Sequence, residues 1–154
     1  MKRIVILLAV FTVLAGLIGA QEENRFSLGI GIEGNMNTPG GFALGGNVGF
    51  AYGITDFIAI GIKAGYSNNL ERIMVLEPGV FARYYFFTWE EKSLFAQLDL
   101  GASLIFEEAL IYPTVMGGLS VGLRIPLASW YVEPAVRGGY PYVFGAGLTA
   151  GYRF

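Results

Sequence analysis

The sequence predicts an all-β fold, an eight-stranded antiparallel up-and-down transmembrane β-barrel. Three observations lead there. From residue 25 onward, apolar residues alternate with small or polar ones in eight runs, each bounded by turn formers. No run carries a charge on its apolar face, and Tyr, Phe and Trp collect at the run ends. Beyond residue 20 no apolar run is long enough for a membrane helix. Yet the chain is 54% hydrophobic and only 14% charged, against roughly 25% charged in soluble domains. A chain that spans lipid without helices must satisfy its backbone polar groups through a closed sheet.

Residues 1–20 read as a signal peptide. Lys2 and Arg3 precede an apolar stretch over 4–18, and Gly19 and Ala20 supply small residues for cleavage. No Cys follows that site, so no lipid attachment is expected there. Residues 21–24 form a short polar lead-in, and the barrel domain is expected over 25–154.

Strand 1 is expected over 25–34, with Phe26, Leu28, Ile30 and Ile32 on its apolar face. The turn formers of 35–40 end it. Strand 2 follows over 41–52, with Asn47 among small residues on its other face. After a tight turn, strand 3 runs over 57–66 and 67–73 forms a loop. Strand 4 covers 74–86, where Pro78 removes a ladder hydrogen bond and favours a bulge. Strand 5 covers 93–104, and 105–112 is a loop carrying Glu107 and Glu108. Strand 6 covers 113–125 and strand 7 covers 130–139. The runs match the roughly 9–11 residues of a tilted transmembrane strand.

The last stretch, YVFGAGLTAGYRF over 142–154, is the eighth strand. Tyr142, Phe144, Ala146, Leu148, Ala150, Tyr152 and Phe154 share one face. This pattern resembles the sorting signal of bacterial outer-membrane β-barrels, with a final Phe and an aromatic residue two positions earlier. Residues 25–154 as a whole resemble the small eight-stranded outer-membrane barrels of the OmpA, OmpX and OmpW type. The resemblance implies that Tyr152 and Phe154 are read by the barrel assembly machinery and that strand 8 closes against strand 1. It also implies residence in the outer membrane of a diderm bacterium, among its lipids. The chain is expected to act as a monomer. A soluble lipocalin-like lipid carrier would show the same alternation, and the aromatic strand ends favour the membrane form.

The chemistry on offer is limited. His and Cys are absent, which removes the commonest general base and the thiolate nucleophile. No catalysis, cofactor or metal site is expected. Net charge is -2, so no nucleic-acid partner is expected. The one constellation is a set of inward charges: Glu33, Lys63, Glu77, Arg83, Asp99, Arg124, Glu133 and Arg137. They read either as a charged constriction in a narrow passage for small solutes or as a salt-bridge network filling the barrel. An eight-stranded barrel is just wide enough for side chains to fill, which favours the second. Short loops equip the chain poorly for adhesion or ligand binding at the surface, the remaining alternative. A strand 3–4 hairpin symmetric about Leu70 would place Lys63 opposite Glu77, in an ionic layer with Glu33 and Arg137. Inward glycines such as Gly101 are expected to accept small polar side chains.

Overall fold

A computed structural model describes residues 25–37, 41–69, 73–87, 92–107 and 110–154. The expected signal peptide and lead-in lie outside them, as does Glu108. The strands are β1 (Phe26–Asn37), β2 (Gly41–Gly53), β3 (Ile58–Asn69), β4 (Ile73–Tyr85), β5 (Ser93–Glu107), β6 (Leu110–Leu127), β7 (Trp130–Tyr140) and β8 (Phe144–Arg153). Each pairs antiparallel with its sequence neighbours, and β8 pairs with β1 to close the barrel. Closure leaves no open edge along the ring, and the even strand number puts both barrel ends of the chain at one mouth. That mouth is called here the terminal end, and the opposite one the far end.

The molecule is inverted relative to a soluble protein. Its outward positions are apolar and exposed: Ile32 is 70% exposed and Val115 is 74%. Its inside holds Glu77, Asp99, Arg124 and Glu133, all buried. A water-soluble lipid carrier would need the reverse. Aromatic rings ring the terminal end in contacting pairs, including Phe26 with Tyr52, Tyr84 with Phe86, and Trp130 with Tyr152. Tyr152 also meets Phe154 with ring centroids 5.1 Å apart.

Four expectations change. First, the strands run on through residues that look like turns. Asn35, Ser67 and Ile105 all lie inside strands, and the far-end connections shrink to 38–40, 70–72, 108–109 and 141–143. The polar side chains among them tolerate this because they face the lumen, where Asn35 and Ser67 are buried. Second, Tyr142 is not on the lipid face. It precedes β8, is buried, and its hydroxyl hydrogen-bonds Ser67 Oγ across the far mouth. Ala43 and Val75 pack with it, with Ile73 and Ile105 alongside. Third, Pro78 makes no bulge. Pairing with β5 lapses at Glu77 and Pro78, but Leu76↔Leu104 and Gly79↔Gly101 keep one register. Fourth, the β3–β4 hairpin is centred one residue later than Leu70. Lys63 therefore faces Gly79, and Glu77 faces Gly65. The main chain of Ile73 donates to Asn69 Oδ1 at 2.9 Å, which anchors this turn.

Candidate functional site

All eight charges expected inside line the lumen, and two ionic belts join β4 to β7 across it. Near the terminal end, Arg83 Nη1 on β4 lies 2.7 Å from Glu133 Oε1 on β7. Arg124 Nε on β6 reaches the same oxygen at 2.6 Å. Nearer the far end the signs reverse. Arg137 Nη1 on β7 lies 3.2 Å from Glu77 Oε2 on β4 and 3.7 Å from Glu33 Oε1 on β1. Between the belts, Lys63 Nζ on β3 lies 3.0 Å from Asp99 Oδ1 on β5. The expected layer thus forms with three of its four members, and Lys63 goes to Asp99 instead of Glu77. The two-residue difference in register explains the exchange.

The reach across the lumen depends on what the facing strands lack. Arg137 and Asn35 are each paired with Gly145 on β8 from opposite sides, and a Cβ there would lie 2.9 Å from Arg137 Cγ. Any side chain at that position would displace the guanidinium stem. Three aromatic rings use the same device. Phe81 faces Gly61, Phe95 faces Gly122 and Tyr131 faces Gly151. Each ring lies over its glycine, within 2.4 Å of where a Cβ would be. The rings then cover the terminal-end guanidinium groups. Arg83 sits 4.1 Å from the Phe95 centroid and Arg124 sits 4.0 Å from that of Tyr131. Such cation–π contacts add to the ion pairs where water is excluded.

Neutral side chains complete the network. Asn35 and Asn47 donate to the two oxygens of Glu33 at 2.9 and 3.1 Å. Gln97 accepts from Arg83 and donates to Asp99, and Ser120 donates to the other Asp99 oxygen. Reasoning from sequence placed Asn47 on the inward face without assigning it a partner, and read Asn35 as a turn residue. Each neutral partner sits on the same strand as the charge it serves or on an adjacent one. Buried charges are costly unless paired and hydrogen-bonded in this way. Beside the network, against β1, β2 and β8, lies a cavity of about 110 Å³ lined by Gly29, Gly49, Gly147 and Thr149 among others. No group of three or more acids, His or Cys able to hold a metal occurs among the described residues.

By sequence, no protein family and no curated protein matches the chain. Solved structures do match in shape. The N-terminal β-barrel domain of Pseudomonas aeruginosa OprF superposes with a TM-score of 0.62 at 17% identity, covering 86% of this chain and all of that one. Neisserial surface protein A gives 0.63 at 14% identity, over 86% of this chain and 98% of its own. The attachment invasion locus protein Ail of Yersinia pestis, solved with a heparin analogue, gives 0.56 at 15% identity over 86% of this chain and all of Ail. The fold is therefore that of the small eight-stranded outer-membrane β-barrels.

Proposed function

We propose that this chain is an integral outer-membrane barrel with a structural role, closed to through-flow at rest and not a catalyst. The observation that carries this reading is the pair of belts between β4 and β7. Arg83–Glu133 and Glu77–Arg137 tie the same two strands together across the lumen at two levels. Tyr142 and its apolar neighbours lie across the far mouth. The apolar outer face and the terminal-end aromatic ring support insertion in lipid. The expected signal peptide supports export. Tyr152, on the strand that completes the ring, and Phe154, just beyond it, are the residues offered to the assembly machinery. The absence of His and Cys from the sequence supports a non-catalytic role.

Planar bilayers test the closed state. The purified chain in KCl should insert without unitary current steps. Discrete, reproducible steps would overturn closure and restore the narrow passage. Membrane residence has its own check: a chain that stays soluble and monomeric without detergent contradicts it.

A further inference from the structure

The outer wall of a closed barrel is convex, but here it carries a furrow over β2 to β5. Two rows of outward side chains cross these four strands side by side. Tyr52, Ile60, Ala82 and Leu98 form the first row, and Phe50, Ile62, Val80 and Leu100 form the second. With adjacent strands about 4.8 Å apart, each row is about 14 Å long. Ala82 leaves a gap in the first row between the longer Ile60 and Leu98. Gly61 and Phe81, inward residues between the rows, complete the lining. The furrow measures about 560 Å³, against about 110 Å³ for the lumen cavity. Among its lining residues only Tyr52 has a polar side-chain group.

Shape selects the occupant. Two convex barrel walls touch along a line, so a second copy of this chain would leave the furrow empty. An acyl chain is thin and flexible enough to enter it, and it asks for no hydrogen bonds from a lining that offers almost none. Position supplies the direction. Tyr52 stands one residue from the terminal end of β2 and packs on Phe26 with ring centroids 4.9 Å apart. Such rings mark the boundary between lipid and water. Leu100, at the other end of the furrow, stands seven residues into β5 from its terminal end. We infer that the furrow binds a stretch of one phospholipid acyl chain, which enters at Tyr52 with its headgroup beyond the terminal-end aromatic ring. This rests on the membrane reading above and adds to it a preferred lipid contact on one side of the barrel.

Photolabelling in a bilayer supplies the test. The full-length chain is inserted into phosphatidylcholine vesicles doped with a phosphatidylcholine that carries a diazirine on one acyl chain. Irradiation expels dinitrogen, the carbene inserts into a neighbouring bond, and peptide mass spectrometry locates the adducts. Exposure alone predicts even labelling, because Ile60 and Leu98 in the furrow are 45% and 46% exposed, and Val121 and Leu148 outside it are 48% and 47% exposed. The expected result is more adduct on Ile60 and Leu98 than on Val121 and Leu148. Ala82→Phe fills the gap from an exposed outward position and should abolish that excess. Val121→Phe adds the same ring elsewhere on the outer wall and should keep it. Even labelling of an inserted parent chain would overturn this inference and leave the membrane reading standing. So would an excess that survives in Ala82→Phe. Weaker labelling in the furrow than outside it would assign the furrow to a second copy and overturn the acyl chain. A chain that stays in solution beside the vesicles would overturn the membrane reading and this inference with it.

Discussion

The barrel has two unlike walls. On β8, β1, β2 and β3 most inward positions are small: Gly147, Thr149 and Gly151, then Ser27, Gly29 and Gly31, then Gly45, Gly49 and Ala51, then Ala59, Gly61 and Gly65. On β4 to β7 the long side chains gather, between small ones such as Gly79, Gly101, Ser120 and Gly122: Phe81, Arg83 and Tyr85, then Phe95 and Gln97, then Met116 and Arg124, then Tyr131, Glu133 and Arg137. The large wall fills the lumen and the small wall receives it. At the two seams the fit is direct, with Phe81 over Gly61 between β3 and β4, and Tyr131 over Gly151 between β7 and β8. The difference teaches that a glycine-rich strand in such a barrel is not empty. Its missing side chains are the space in which another strand's side chains lie.

The largest expected effect is on the large wall. Glu133→Leu leaves Arg83 and Arg124 without their shared carboxylate in a buried setting, and should cost about 3–5 kcal/mol in urea unfolding from detergent or lipid. Asn47→Ala, on the small wall, should cost far less, since Glu33 keeps Arg137 and Asn35. Equal costs would dissolve the distinction between the walls.

Next comes the outer surface of the large wall. Leu98→Arg on β5 puts a charge into lipid and should cost about 2–4 kcal/mol if that surface lies at membrane mid-depth. A cost near zero in vesicles would mean that the faces are exchanged.

The smallest pair separates glycines that receive a side chain from those that do not. Gly151→Ala forces a Cβ to within 2.1 Å of the Tyr131 ring and should cost about 1–3 kcal/mol. Gly49→Ala meets only ordinary contacts and should change stability by about 0.5 kcal/mol or less. Similar midpoints for the two variants would show that the seam is looser than the contacts indicate.

Much of this was legible in the sequence, and the limits have physical causes. Period-two alternation gave the number of strands, the inward set of charges and the aromatic ends, because lipid outside and polar groups inside impose opposite demands on successive residues. Strand ends were less legible. Asn35 and Ser67 look like turn residues by type, but an inward polar side chain is at home in a polar lumen. Charge partners were the least legible. Lys63 and Glu77 were assigned to the right face, yet a turn centred one residue later shifts their pairing by two. Long side chains then choose partners across the lumen, as Arg137 does with Glu77. Gly101 shows the same limit. It looks like an open inward position, but a Cβ there would lie 2.3 Å from the Pro78 carbonyl oxygen and 3.0 Å from Met116 Cε.

The ring-over-glycine contacts also bear on how such a sequence can change over generations. Phe81 and Gly61, Phe95 and Gly122, and Tyr131 and Gly151 are each separated by 20 to 27 positions along the chain but touch through one shared volume. A glycine cannot gain a side chain while its ring stays, and a ring that shrinks leaves a hole that its glycine does not fill. Each couple is therefore inherited as a unit. In a lineage of related barrels, the two positions of each couple should drift together.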